Sequence, residues 1–341
     1  MSRRFEGRPV HVLTVGLIAL SVAVGAWAGG AAAAPRATQA SADTTAASRV
    51  PTTATRSPVG IDTRNRAAVK RAYQRRLEPN LNVPIRWTGS NAGCHAGRAS
   101  QTSKAATLES LNFVRALGHL APVTFTRRLS AKAQQAALIM SANGALSHDP
   151  PRSWKCWTRA GSNAAGHSNL AYGFPTLTAG ATIVQYMTDP GETNYFAGHR
   201  RWLMYPYTAH MGNGATTQTN AIWVLSDTVL SRPDPAWVGW PTAGWFPAPL
   251  EPAGRWSLSA SDDSVSFANA RVRVTNAAGQ RLRTHVQPVA VGYGKATVVW
   301  QVRGIKATGV YHVTVVKITS QSKPDGFSHS YIVRMFSPRR G

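Results

Sequence analysis

The chain of 341 residues is 43% hydrophobic and 15% charged, a globular composition that excludes disorder over most of its length. Its length suits an export segment followed by two modest domains. The formal net charge of +24 excludes a predominantly acidic protein and predicts anionic neighbours.

Residues 1–35 have the pattern of a secretory signal peptide. Arg3, Arg4 and Arg8 precede an apolar run over residues 12–27, and small alanines follow it. Glycines in and after the run make it a poor membrane anchor, so we expect no transmembrane span after signal removal. The sequence therefore predicts a secreted protein that is extracellular or held at the cell envelope.

The mature chain remains strongly basic. The leader holds three arginines and one glutamate, a net +2, which leaves +22 on the remainder. Outside the cell such a protein meets anionic cell-wall polymers, glycans or lipid, which are the expected partners, whereas nucleic acid is not expected. The alternative that the charge serves only solubility stays open.

Residues 36–100 are predicted to form a flexible spacer and a basic pre-domain segment. Ala, Thr, Ser, Pro and Arg dominate residues 36–60, which hold too little apolar surface to offset the entropy of ordering. Residues 65–77 are compatible with a short basic helix that Pro79 ends.

The chain has two cysteines, Cys94 and Cys156. An even number in an exported chain predicts a disulfide between them. A zinc site or reactive thiol is the weaker alternative, because the chain lacks a Cys-x-x-Cys pair and a thiolate-activating motif.

Residues 101–228 show helical periodicity interrupted by short apolar strands. Four apolar residues recur at helical spacing: Leu108, Leu111, Val114 and Leu117. The predicted elements are helices over residues 104–117, 131–143 and 177–188 and a buried strand over residues 221–225. Ser130 is the expected N-cap of the second helix. The pattern is typical of an α+β domain.

The period of the pattern changes after residues 229–252, a segment dense in Pro, Trp and Gly that is predicted to be a linker. Its tryptophans are expected to pack the linker, with a sugar-stacking platform as the alternative. Alternating or β-branched runs then follow, over residues 271–275, 296–302, 310–318 and 331–336. They predict a small β-sandwich over residues 253–341, folded separately from the first domain.

Four segments of the first domain occur in the order found in one extracellular family. They are residues 111–118 (LNFVRALG), the loop at His148, residues 168–171 (SNLA) and residues 198–202 (GHRRW). In these segments the chain resembles the CAP superfamily, the SCP-like extracellular domain, of bacterial type. The resemblance implies a CAP-type α-β-α sandwich with a central cleft, in which two histidines and two acidic residues converge.

The resemblance assigns cleft positions to five residues of this chain. His148 and His199 match the two histidines. Asp189 matches the acid of the third helix, with Glu192 as its reserve. The family's other acid lies in a Gly-Glu-Asn motif, and Ser168 stands where that glutamate is expected.

His148 and His199 are the candidate metal ligands. Neutral imidazoles bind zinc, and nearby carboxylates orient the ligands. Because Ser168 replaces an acid, the site loses negative charge and a general base, so zinc, if it binds, should bind weakly. An inward-turned His167 is one substitute, although a surface position is favoured for it. Alternatively, both candidate ligands bond to backbone and close loops.

Arg200, Arg201 and Trp202 follow the second histidine. They are expected to form a salt-bridged turn and a core aromatic residue, with anion binding by the arginines as the alternative.

The residues favour a binding protein over an enzyme, and no catalytic residue is assigned. The chain lacks G-x-S-x-G and H-E-x-x-H motifs. The leading hypothesis is a histidine-lined cleft that binds a lipid, peptide or glycan at the cell envelope. One alternative is a metal-assisted hydrolase of peptide or cell-wall substrates that uses His148, His199 and Asp189. Another is a structural or adhesive wall protein retained by its charge.

Overall fold

The computed structural model describes residues 60–338. The predicted signal peptide and most of the spacer lie outside the described residues. Helix α1 (Arg66–Arg76) opens the described chain and is capped by the Asn65 side chain, which accepts a backbone N–H. A 3-10 turn, Glu78–Asn80, follows it. The predicted short basic helix is therefore present.

The helices of the first domain within residues 101–228 are α2 (Gln101–Leu117), α3 (Arg127–Asn143), α4 (Arg159–Gly166), α5 (Ala179–Thr188) and α6 (Gly198–Leu203). The predicted helices correspond to α2, α3 and α5. Helix α3 begins a turn earlier than predicted, because Thr126 rather than Ser130 is its N-cap. The Ser130 hydroxyl instead accepts the backbone N–H of Asn213.

A central sheet separates these helices into two layers. Its strands are β1 (Thr124–Phe125), β2 (Ser168–Tyr172), β3 (His210–Ala215) and β4 (Thr219–Trp223), in the order β1-β3-β4-β2. On β4, Ala221 and Trp223 join a core cluster with α3 and α4, whereas Ile222 faces the cluster that contains α2 and α5. This arrangement confirms the predicted α-β-α sandwich.

Two glycines let α3 lie directly on β3. A Cβ on Gly212 would lie 2.3 Å from the carbonyl carbon of Leu129, and one on Gly214 would lie 2.1 Å from the backbone nitrogen of Gln134. A side chain at either position would therefore separate the helix from the sheet.

Two four-stranded sheets form the β-rich C-terminal part. The first contains β5 (Trp237–Trp240), β7 (Arg255–Ala260), β9 (Thr284–Val286) and β10 (Thr297–Val302), in the order β5-β7-β10-β9. The second contains β6 (Gly244–Pro247), β8 (Arg271–Asn276), β11 (Gly309–Ser320) and β12 (Lys323–Phe336), in the order β6-β12-β11-β8. Trp256 packs edge-on against Tyr311 between the sheets, with ring centroids 5.9 Å apart.

Residues 229–252, predicted to be a linker, contribute β5 and β6 to these sheets. Trp240 and Phe246 are buried in a hydrophobic cluster that also contains Leu117 of α2. The segment is therefore part of the core instead of a surface connection. Separate folding of the two parts remains a prediction, and the shared cluster argues for one cooperative unit.

The predicted disulfide between Cys94 and Cys156 is present, with Cα atoms 5.0 Å apart. It joins the loop before α2 to the loop before α4. Among residues 60–338, helices are all too short or too polar to cross a bilayer.

Candidate functional site

A buried carboxylate holds the second candidate histidine. Asp189 ends α5 in a left-handed conformation with φ of 54°, and its side chain is 0% exposed. Its Oδ1 lies 2.7 Å from His199 Nδ1, and its Oδ2 accepts the backbone N–H of Arg200 at 3.3 Å. Both carboxylate oxygens are thus committed to the start of α6.

The first candidate histidine lies in the loop after α3. His148 Nδ1 lies 3.0 Å from the carbonyl oxygen of Ala165, at the end of α4. Part of the residue is exposed, yet desolvation of the ring lowers its pKa below 6.5. The hydrogen bond to Ala165 opposes this effect, and the charge of His199 adds to it. The influence of His199 on this pKa supports the prediction that the two rings share a site.

The hydrogen bonds fix the tautomers of both rings. A carbonyl oxygen only accepts, so Nδ1 of His148 carries its proton. The Asp189 carboxylate likewise accepts from Nδ1 of His199. In the neutral form, each ring is left with the Nε2 lone pair for a ligand.

Ser168 opens β2 and is 4% exposed. Its hydroxyl oxygen is buried and has no hydrogen-bond partner within the described residues. Glu192, the reserve acid, lies exposed on the 3-10 turn Glu192–Asn194, away from the Asp189 hydrogen bonds. Asp189 is therefore the acid that engages a histidine.

His167 stacks on Trp223, with ring centroids 4.7 Å apart and an interplanar angle of 19°. Its Nδ1 lies 2.7 Å from the carbonyl oxygen of Asn163. These contacts hold the ring against Trp223 of β4.

Asn169 and Tyr186, for which the sequence predicted no role, contact His199. Asn169 Nδ2 donates to the carbonyl oxygen of His199 at 2.9 Å and so ties β2 to α6. The Tyr186 ring lies 5.3 Å from the His199 ring, and its hydroxyl lies 3.1 Å from the carbonyl oxygen of Asn169. Burial raises the pKa of Tyr186 well above 10, so the phenol stays a donor. The SNLA motif contains Asn169, but a motif alone does not reveal which backbone group an amide reaches.

Arg200 faces the β-sandwich rather than solvent. Its Nε donates to the carbonyl oxygen of Met187 at 2.7 Å. Its Nη1 donates to the carbonyl oxygen of Arg255 at 2.8 Å and to Ser257 Oγ at 3.0 Å. Burial lowers the pKa of Arg200 to about 10, and the charge of Asp189 opposes the shift.

Arg201 makes a second connection of the same kind. It donates to the carbonyl oxygens of Ala290 at 2.9 Å and Lys295 at 3.1 Å, and burial lowers its pKa to about 10. The guanidinium groups of both arginines donate to neutral oxygens, so the expected salt-bridged turn is wrong in that respect. Arg200 and Arg201 of the GHRRW motif therefore connect α6 to the C-terminal part of the chain.

The residues present do not fit a complete zinc site. Structural and catalytic zinc sites use at least three protein ligands, and His148 and His199 supply two. Within residues 60–338, groups of three or more His, Cys, Asp and Glu placed to hold a metal are absent. Both carboxylate oxygens of Asp189 already accept hydrogen bonds, one from His199 and one from the backbone N–H of Arg200.

The α-β-α sandwich of residues 101–228 agrees with the resemblance to a CAP domain. Residues 108–226 match the family described as the cysteine-rich secretory protein family, CAP, so this part of the chain is a CAP domain. Curated proteins give no match.

Solved structures that match the chain include the crystal structure of selenomethionine PcoC, a copper resistance protein from Escherichia coli. It is 17% identical over 28% of this chain and 94% of that chain, with a TM-score of 0.22. A likeness of that extent carries no conclusion about fold or function.

Proposed function

We propose that this protein is exported and acts at the cell envelope, where its CAP domain binds a lipid, peptide or glycan at His148 and His199 without cleaving it. The commitment of both Asp189 oxygens to His199 Nδ1 and the Arg200 backbone is the observation that supports binding over hydrolysis.

A hydrolytic site needs a base that takes a proton from water. Asp189 is buried and occupied, and Ser168 offers a neutral hydroxyl in place of a carboxylate. The remaining groups are two Nε2 lone pairs and one hydroxyl, which suit hydrogen bonds to a polar ligand.

The disulfide and the charge support the proposed location. A bond between Cys94 and Cys156 is typical of an oxidising compartment. The net charge of +24 over the whole chain attracts anionic wall polymers or lipid headgroups, so charge raises the local concentration of the ligand and the site selects it.

The test uses the mature chain with three probes: phosphatidylglycerol vesicles, soluble peptidoglycan fragments and a mixed-sequence peptide library. His199→Asn and Ser168→Ala should each weaken binding of one probe class by about tenfold, with the probe recovered intact by mass spectrometry. His285→Asn, which changes an exposed histidine of β9, is the matched control and should bind normally.

Two results would overturn the proposal in different directions. Cleavage of a probe that is lost in His199→Asn would establish the metal-assisted hydrolase instead. Binding that vanishes at high salt equally in all variants would establish retention by charge alone, because screening weakens exposed interactions most.

A further inference from the structure

A cavity of about 310 Å³ lies where the end of α2 meets the β-sandwich. Gly118 and His119 line one side, and residues of β5, β7 and β12 line the other. Its lining residues do not include those of the candidate site at His148 and His199. The cavity is at the lower end of the volumes that proteins use for small ligands.

Aromatic rings form much of its wall. Trp237 stacks on His329 with centroids 4.4 Å apart, and His329 lies 5.9 Å from Tyr331. Burial lowers the pKa of His329 below 6.5, which keeps it neutral at neutral pH. Asp, Glu, Lys and Arg are absent from the lining. A charged ligand would therefore lose its hydration without gaining an Asp, Glu, Lys or Arg as a partner.

Two lining residues carry hydroxyls with unmet hydrogen-bonding capacity. Thr242 is 3% exposed, and its Oγ1 has no partner among the described residues. The Tyr331 hydroxyl is also buried without a partner there. Burial raises the pKa of Tyr331, so it remains a donor. An unsatisfied buried hydroxyl destabilises the folded protein, and a hydroxylated ligand would satisfy it.

Gly239 lies against the Tyr331 ring and hydroxyl. A Cβ at Gly239 would lie 3.4 Å from Tyr331 Oη and 3.0 Å from the carbonyl oxygen of Pro241. A side chain there would occupy the space beside the unpartnered Tyr331 hydroxyl.

We propose that this cavity binds one neutral sugar ring of a glycan. The aromatic wall suits the C–H face of a sugar, the free hydroxyls of Thr242 and Tyr331 suit its hydroxyl groups, and the volume suits a single ring. An apolar ligand would leave both protein hydroxyls unsatisfied. The inference is independent of the proposed function of the CAP site.

Ligand-observed saturation-transfer NMR on the mature chain tests this assignment. The probes are glucose, N-acetylglucosamine, glucuronate and toluene. We expect a neutral sugar to bind, and glucuronate and toluene to bind more weakly. Thr242→Val and Tyr331→Phe should each weaken sugar binding at least about fivefold, the effect of one lost hydrogen bond. Tyr195→Phe, a tyrosine outside the cavity, should bind as wild type.

Both cavity substitutions keep the side-chain shape and remove an unsatisfied group, so they should fold with unchanged or higher melting temperature. Melting curves check this directly, and Trp237→Leu provides a second variant of the wall. The proposal would be overturned if glucose and N-acetylglucosamine both fail to bind, or if sugar binding is unchanged in all three variants. Preferential binding of toluene or glucuronate would also overturn it.

Discussion

Asp189 and His199 are joined by a 2.7 Å hydrogen bond between a carboxylate with 0% exposure and the Nδ1 atom of a ring that is 20% exposed. The bond orients Nε2 for a ligand and sets the tautomer. Asp189 also contacts the sandwich, because its carbonyl oxygen accepts from Arg255 Nη1. The candidate site and the C-terminal sheets are therefore held by the same residue.

Replacement of Asp189 by Asn should destabilise the protein. The amide loses the charge-assisted bond to His199, which contributes about 1.5–3 kcal/mol in comparable cases. Urea unfolding of Asp189→Asn and wild type measures the difference. Glu192→Gln is the matched control, since Glu192 is exposed, and should change the free energy of unfolding by less than about 0.5 kcal/mol. Equal stability of Asp189→Asn and wild type would refute the structural role of the pair.

Arg200→Met should lower the free energy of unfolding by about 2–5 kcal/mol, because it leaves buried carbonyl oxygens of Met187 and Arg255 unpaired. Hydrogen exchange should show α5 and β7 losing protection together in this variant, as expected for one cooperative unit. Arg271→Met, on the exposed face of β8, is the control. Loss of protection in β7 alone would favour two separately folded units.

The disulfide should contribute about 4 kcal/mol in the loop-entropy model, because it closes 62 residues. The Cys94→Ser, Cys156→Ser double variant should melt lower than the oxidised wild type by several degrees. A reducing agent should lower the melting temperature of wild type and leave the double variant unchanged. If the reducing agent affects both equally, the bond is not the source of the difference.

Zinc should bind the wild-type protein weakly at pH 7.5, because His148 and His199 supply two of the three or more protein ligands that zinc sites use. Ser168→Glu should tighten zinc by on the order of tenfold or more, since it adds charge and a third ligand. Ser168→Gln has similar volume without the charge and should not tighten it. Calorimetric titration measures zinc binding by wild type and by both Ser168 variants. Tight zinc binding by wild type that persists in His148→Ala would contradict the assignment of His148 as a ligand.

Much of the fold follows from local patterns. The apolar spacing of α2 and the alternation in β8 each identify one element, and these predictions agree with the structure. The sequence pattern did not predict strand β3. Gly212 and Gly214, which allow α3 to approach the sheet, interrupt the apolar alternation that is typical of a strand. In the same way, prolines and glycines concealed β5 and β6 within the predicted linker.

The hydrogen bonds of the candidate site were harder to predict than the helices and strands. The resemblance assigns two histidines and an acid to the cleft, but their hydrogen bonds depend on how distant elements pack. The contact of Arg200 with Ser257 joins residues 57 positions apart, and periodicity carries no information about such a pair. Sequence reasoning therefore treated the arginines as a local turn, whereas tertiary packing makes them the connection to the sandwich.

The proximity of His148 and His199 is measured most directly by NMR titration of the His148 ring in the mature chain. In wild type, its pKa should lie below 6.5, and His199→Asn should raise it, because removal of the His199 charge removes one cause of the depression. His167→Asn should leave it unchanged, since the His167 ring stacks on Trp223 instead. A His148 pKa that is the same in wild type and His199→Asn would contradict a shared site.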